Sequence, residues 1–385
     1  MTDLDKIIRP SLKQLQPYNS GLSMAAVQKL CGLAEVNRLA SNENPFGPAP
    51  DVLEYIRKQQ DHLHIYPSSE ASDLRTGLAA YLDTDPDLLV FGNGSEELLS
   101  IIFRSVIEPG DRVTTLYPSF PLHEDYAVLM GAGIERVGLR DDLTIDVDKL
   151  VAAASKPAKL LIFSHPVNPV GCWMSRDDLM KVLDTRHPDT LLVLDEAYFE
   201  FALNGDYCSG LDLLASGKGH WIVLRTFSKA WGLAGLRIGY GVCSSPDLAA
   251  ALDLTKTPFN TNTLAQTAAL LALGNEAHTK KSVAAIAKER DKMRTALMER
   301  DLRVAPTQAN YVFFETDLPS VEVAHALMRL GTLVKPWKQE GFDRFIRVTV
   351  GRQEENRLFL DHLDSIRVQN THNGRRLKNT ENATK

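Results

Sequence analysis

At 385 residues the chain has room for about two or three domain-sized units and a core that needs no disulfide staples. Apolar residues make up 44% and charged residues 24%, an ordinary globular composition, and a net charge of -6 argues against nucleic acid or an anionic membrane as partner. Apolar runs stay short of the ~18 residues of a membrane span, and Cys31, Cys172, Cys208 and Cys243 are too scattered for a disulfide framework or a zinc site, which fits a reducing cytoplasm.

The N-terminus, Met1-Thr2-Asp3-Leu4-Asp5, lacks the basic-then-apolar pattern of a signal peptide. Residues 1–45 read as an arm that joins part of a small domain, because Pro10, Pro17 and Gly21 interrupt its helical stretches. Asn42-Glu43-Asn44-Pro45-Phe46-Gly47-Pro48 is dense in turn formers and reads as a loop. Residues 46–270 alternate short apolar runs with amphipathic stretches. Strands are predicted at Leu88–Phe91, Arg112–Leu116, Lys159–Phe163, Leu191–Leu194 and Ile222–Leu224, with helices such as Glu96–Ile107 and Arg176–Arg186 between them. Runs buried on both faces imply a mostly parallel sheet covered by helices on both sides, an α/β architecture. Residues 271–368 change pattern. A long helix from Lys280 to Arg300 precedes strand Asn310–Glu315, helix Ser320–Leu330, strands Thr332–Lys335 and Phe345–Val350, and helix Glu354–Ile366, which is a smaller α+β domain. Residues 369–385 are polar, with four basic residues and one acidic, and are expected to form a disordered tail.

The chemistry-bearing residues follow the predicted strands, where ligands bind in sheets of this kind. Gly92-Asn93-Gly94-Ser95-Glu96-Glu97 leads into a helix whose first amides suit a phosphate, although a plain helix start capped by Ser95 is the commoner explanation. It lacks the Gly-Lys-Ser/Thr of a Walker loop and the third glycine of a dinucleotide fingerprint. Tyr117-Pro118-Ser119-Phe120 offers an aromatic ring for stacking, and a core phenylalanine is the commoner explanation. His165-Pro166-Val167-Asn168-Pro169-Val170-Gly171 is a stiff turn that fixes one side-chain amide. Asp195-Glu196-Ala197-Tyr198 ends the most apolar strand. A buried acid there needs a cation, either a protein side chain or a protonated pyridine nitrogen, and Tyr198 can donate to a ring oxygen. Lys229 lies between the apolar run Trp221–Leu224 and a glycine-rich turn, with Ser228 before it and Arg237 after it. A loop lysine by itself is unremarked. Phosphate turn, aromatic, asparagine turn, strand-end aspartate and lysine in this order are the inventory that holds pyridoxal phosphate.

On these motifs the chain resembles the fold-type I pyridoxal-phosphate aminotransferases, and within them the histidinol-phosphate aminotransferase family. Pro17-Tyr18, Leu39–Pro45, Tyr66-Pro67, Gly92–Glu97, Asp195–Tyr198, Ser228–Arg237 and Ile346–Gly351 carry the resemblance, which spans about residues 10–367. It implies that Lys229 forms the Schiff base and shuttles the proton, and that Asp195 pairs with the pyridinium nitrogen. It further implies that Asn168 and Tyr198 take the ring oxygen and that Phe120 stacks on the ring. The phosphate would lie on the backbone of Gly94, Ser95 and Glu96 with Ser228 and Arg237. Tyr66 would reach the cofactor of a second subunit, which implies a homodimer with shared sites. Tyr18, Asn42, Lys335 and Arg347 would serve the substrate.

Two places depart from the family pattern. The usual Asn-Asn-Pro-Thr-Gly is Val167-Asn168-Pro169-Val170-Gly171, and the usual arginine of a second anion site is Lys335, followed by Pro336-Trp337. Lysine is a point charge without the bidentate fork. The expectation is therefore an aminotransferase moving an amino group between an amino acid and a keto acid or imidazole-acetol phosphate. A decarboxylase, cyclase or eliminase on the same scaffold is the alternative. A ligand-sensing regulator would carry a DNA-binding domain ahead of Pro17-Tyr18, where this chain has no room for one.

Overall fold

The computed structural model describes residues 6–17, 24–58, 63–214 and 219–382, with the backbone alone for Met24 and for 369–382. The chain divides into two units. The first comprises Met1–Tyr18, Glu43–Ala287 and Ala305–Ala309, and the second Asn19–Asn42, Lys288–Val304 and Asn310–Lys385. One of the boundaries between them, at Ala287–Lys288, falls inside helix Glu276–Met298. Numbered along the chain, the strands are β1 (Asn37–Arg38), β2 (Leu89–Gly92), β3 (Arg112–Tyr117), β4 (Gly133–Gly138), β5 (Leu160–Ser164), β6 (Leu191–Asp195), β7 (Trp221–Thr226), β8 (Gly239–Cys243), β9 (Tyr311–Glu315), β10 (Thr332–Leu333), β11 (Lys335–Pro336) and β12 (Phe345–Thr349).

The first unit is built on a seven-stranded sheet in the order β2-β8-β7-β6-β5-β3-β4. It is parallel except for β8, which runs against both β2 and β7. Every residue of β5, β6 and β7 is buried, which is why these strands read as unbroken apolar runs in the sequence. Helices Ser95–Val106 and Pro121–Met130 contribute Leu98, Ile102, Phe103 and Ala127 to a core with Val113, Leu160 and Ile222. Each large side chain buried there stabilises the fold by about 1.5–3 kcal/mol. The register aligns Ser164 with Asp195 and Asp195 with Leu224, so the carboxyl ends of β5, β6 and β7 form one edge. The loops after that edge carry Asn168, Tyr198 and Lys229.

Two strands escape the sequence pattern. β4 is the polar edge strand, and its Glu135 pairs with Arg112 at 3.2 Å and Lys156 at 2.7 Å; charge on an edge discourages pairing with other chains. β8, Gly239-Tyr240-Gly241-Val242-Cys243, carries two glycines that depress its strand signal. A Cβ at Gly239 would stand 2.4 Å from the backbone nitrogen of Ser95, so the close approach of β8 to the start of helix Ser95–Val106 requires glycine.

In the second unit β11, β12 and β9 form an antiparallel sheet, and β1 pairs in parallel with β10. The single strand expected over Thr332–Lys335 is two, because β10 pairs with β1 while β11 turns to pair with β12. Phe313 stacks on Phe345 at 4.9 Å across β9 and β12. The last helix is Gln353–Asn382, running through the segment for which the sequence suggests a disordered tail. Its Asp364 holds Arg300 through two hydrogen bonds of 2.6 and 2.7 Å. No described helix is long and apolar enough to cross a membrane.

Candidate active site

The loop after β2 ends at Gly94, the N-cap of helix Ser95–Val106. Ser95 is thus the first helical residue rather than the cap, and no side chain caps this end. Free amides and the positive end of the helix dipole are left at Gly94. The acids of the first turn are held by hydrogen bonds: Tyr126 donates to Glu96, while the Asn93 amide (2.6 Å) and Asn260 Nδ2 (2.8 Å) donate to Glu97. Arg237 lies over Gly94 so closely that a Cβ there would stand 2.3 Å from Nη2, and Gly94 has φ +80°. Arg237 itself adopts φ 58°, a left-handed conformation that costs a non-glycine residue about 1–3 kcal/mol. Its guanidinium donates to Ser228 Oγ (3.3 Å), Ala234 O (3.2 Å) and Asn93 O (3.3 Å). Guanidinium, serine hydroxyl and helix amino end therefore converge, the arrangement that suits a phosphate.

Asp195 closes β6 and is buried. Its Oδ1 accepts from the Ala197 amide at 3.1 Å, and its Oδ2 lies 3.4 Å from Nε2 of His123. Neither ring nitrogen of the fully buried His123 makes a hydrogen bond among the described residues, and Asp195 is the acid beside Nε2. Phe120 meets His123 edge-on at 5.7 Å between centroids. His123 was missed in the sequence; a histidine one turn into a helix after Phe120 has no spacing signature, and only the fold brings it to Asp195.

The asparagine turn is held from behind by His165. Burial lowers the His165 pKa to about 4, so the ring is neutral, and its Nε2 accepts from the Met174 amide at 3.0 Å. Tyr207 stacks on the ring at 4.7 Å and donates its hydroxyl to the His165 carbonyl. Asn168, buried in this turn, places Nδ2 3.4 Å from the hydroxyl of Tyr198. The amine of Lys229 lies 5.8 Å from the centre of the Tyr198 ring. The Lys229 loop is tightly bonded: Gly232 donates to the Lys229 carbonyl (3.1 Å), Leu233 to Phe227 (3.0 Å), and Asn44 Nδ2 to the Ala230 carbonyl (2.8 Å). The structure thus brings Asn168, Tyr198 and Lys229 together, Asp195 with His123 and Phe120, and Ser228 with Arg237 at Gly94.

The second unit has its own cluster. Lys335 and Arg347 are direct cross-strand partners on β11 and β12. Arg347 donates to the Ala40 carbonyl at 3.0 Å and lies over the rings of Tyr311 (5.4 Å) and Trp337 (5.8 Å). Burial first, then Arg347 and Lys338, pull the Lys335 pKa down to about 8. The Asn42 side chain accepts from the Thr349 hydroxyl at 3.2 Å, and its carbonyl accepts from Asn310 at 3.0 Å. In the first unit, Tyr66 is 77% exposed and stacks on Phe259 at 4.6 Å. Tyr18 lies outside the described residues.

The family described as aminotransferase class I and II matches residues 34–363. The chain is 46% identical to histidinol-phosphate aminotransferase 1 of Mesorhizobium japonicum, over 95% of this chain and 100% of the relative. It is 43% identical to histidinol-phosphate aminotransferase 3 of Rhizobium meliloti, over 93% and 97%. Among solved structures it is similar to histidinol-phosphate aminotransferase from Sinorhizobium meliloti in complex with pyridoxal-5'-phosphate. That match has a TM-score of 0.84 at 29% identity and covers 93% of this chain and 98% of that one. The order of strand-end motifs, the mostly parallel sheet and the family match agree, and the chain belongs to the class I and II aminotransferases.

Proposed function

We propose that this aminotransferase uses pyridoxal 5'-phosphate and moves an amino group between histidinol phosphate and a keto acid. The observation that carries the reading is the meeting of Lys229, Tyr198 and Asn168 beside the carboxyl edge of β5, β6 and β7, with the buried Asp195 ending the middle strand. The donor set fits the cofactor. A fully buried histidine, with no hydrogen bond to its ring nitrogens among the described residues, stands 3.4 Å from the buried Asp195 carboxylate, which suits a cationic ring nitrogen at Asp195. The uncapped helix at Gly94, with Arg237 against it, suits a phosphate.

When bound, the cofactor supplies an electron sink for the carbanion formed at the substrate carbon. The chain's own residues do the rest. Asp195 holds a proton on the ring nitrogen. Asn168 Nδ2 and the Tyr198 hydroxyl bind the ring oxygen, and Phe120 covers the ring. Ser228, Arg237 and the backbone of Gly94, Ser95 and Glu96 bind the phosphate. Lys229 Nζ anchors the cofactor and carries the proton at the substrate carbon. Lys335, Asn42 and Arg347 bind the substrate's anionic end, where two adjacent cations suit a dianion such as a phosphate monoester, and Tyr18 is assigned to the substrate by the family resemblance. The exposed Tyr66 contributes to the cofactor site of a second copy, which makes the enzyme a homodimer, and its location is cytoplasmic.

Half-reaction spectroscopy tests this. The protein loaded with pyridoxal 5'-phosphate should absorb in the visible. Histidinol phosphate alone should convert the cofactor to its amine form, and so should L-glutamate. No conversion with either sinks the reading. Carbon dioxide release from an amino acid without conversion would favour the decarboxylase alternative instead.

A further inference from the structure

Two segments carry four of the proposed cofactor residues, Asp195, Tyr198, Ser228 and Lys229: 195–200 from the end of β6 and 225–231 at the end of β7. Along both, residues assigned to the cofactor alternate with residues bonded to the other segment. Asp195 and Tyr198 alternate with Glu196, Phe199 and Glu200; Ser228 and Lys229 stand between Arg225 and Trp231. Glu196 Oε2 accepts from Arg225 Nε (3.0 Å) and Nη2 (2.9 Å), and the Ser209 hydroxyl and the Gly210 amide (2.5 Å) complete its shell. The Arg225 guanidinium lies 3.5 Å from the centre of the Phe199 ring. Glu200 Oε1 accepts from the indole Nε1–H of Trp231 at 2.9 Å.

The Glu196–Arg225 pair is saturated with hydrogen bonds and reads as structural. Glu200 does not. Its Oε2 is enclosed and has no hydrogen-bond partner among the described residues. Glu200 as a whole is half-buried, but this enclosure of the carboxyl end pushes its pKa up to about 8, against the opposing pull of Arg225. The groups facing it are Arg225 and Glu196 from the brace, Tyr240 on β8, Trp231, and Tyr81 on helix Ser72–Leu82. Tyr240 is pushed up to about 12 and Tyr81 higher, so neither ionises near neutrality. The indole it holds lies two residues past Lys229, packed against Phe227 and Tyr81. Gly232, the next residue, donates its amide to the Lys229 carbonyl.

From this geometry we propose that Glu200 is a positioning residue for the reaction: by holding the Trp231 indole it sets the Lys229 loop against the segment that bears Asp195 and Tyr198. This rests on the cofactor assignment made above. A neutral acid holds the indole without adding a negative charge to the Lys229 loop, whereas an ionised one would favour the protonated amine.

The test uses holoenzyme loaded with pyridoxal 5'-phosphate and reads the midpoint pH of the visible band of the lysine-bound cofactor, with kcat and KM alongside. Trp231→Phe removes the N–H donor and keeps an aromatic ring. Glu200→Leu removes the acceptor. Each should shift the midpoint by about half a pH unit or more and lower kcat about five- to tenfold with KM little changed, the weight of one hydrogen bond that is left unmade. Glu200→Gln keeps the acceptor oxygen and should restore the midpoint and most of kcat. If Glu200→Leu does not fold, Trp231→Phe and Glu200→Gln decide alone. Wild-type midpoint and kcat in Trp231→Phe overturn the proposal, and so does a Glu200→Gln enzyme as impaired as Glu200→Leu. A wild-type enzyme that binds the cofactor without a visible band removes the cofactor reading itself, and this proposal with it.

Discussion

The two lysines singled out by the sequence, Lys229 and Lys335, are held in opposite ways. Lys229 stands in a loop braced by acids: Glu196 neutralises Arg225 behind it, Glu200 grips Trp231, and the amine lies beside an aromatic ring. Lys335 faces Arg347 across a strand pair, and burial first, then Arg347 and Lys338, push its pKa down. The first arrangement spends its charge on the protein itself, so it can keep a covalently anchored group in one orientation. The second concentrates positive charge, which costs stability unless an anion arrives. On the proposed roles, the lysine assigned to chemistry sits in a hydrogen-bonded loop, and the pair assigned to anion recognition places two cations side by side.

The largest expected effect separates the two lysines. Lys229→Ala should lower turnover by about 10²–10⁴-fold, the range for loss of a positioned acid–base group, whereas Lys335→Ala should act mainly on KM; steady-state kinetics on both decide it. Stability should divide the other way. Arg225→Met leaves Glu196 buried without its counter-charge and should cost about 3–5 kcal/mol in urea unfolding. Lys335→Met should leave stability unchanged or raise it, and a loss comparable to that of Arg225→Met would break the comparison.

Smaller effects sharpen it through pH. Lys335 is charged below a pKa of about 8, so KM for a phosphate-bearing substrate should rise as pH passes upward through that value. The rise should reach about tenfold, the weight of one charge-assisted hydrogen bond, and Lys335→Arg should flatten it. Glu200 gives the smallest signal. Its carboxyl is raised from 4.5 to about 8 in the folded protein, so the native state keeps a proton that the unfolded chain releases. The stability tied to that proton is fully present below pH 4.5 and is lost as pH rises through about 8. The wild-type Tm should therefore fall more steeply across that window than the Tm of Glu200→Gln, which has no proton to lose. Parallel melting curves would contradict the enclosed acid.

Much of this was legible before any coordinates. Buried parallel strands leave continuous apolar runs, so β5, β6 and β7 are found within a residue or two of their predicted bounds. Motifs that follow such strands must converge, which is why Asn168, Asp195 and Lys229 could be chosen together. What escaped lacks a periodic signature. β4 is an edge strand of mixed polarity, and β8 is interrupted by glycines needed for close packing. Ser95 looked like a cap by residue type, but Gly94 with its positive φ takes that position.

By itself, the sequence determined most of the order of strands and helices, the cofactor inventory and the family resemblance, because burial periodicity and residue chemistry are local properties of the chain. Only the tertiary structure decided that His123 backs Asp195, that Arg225 and Glu196 are buried as a pair, that Lys335 is opposed by Arg347, and that Glu200 holds the indole beyond Lys229. Each of these joins residues distant in the chain or turned toward one another by the fold, and the energy of a buried charge depends on which partner the packing places beside it.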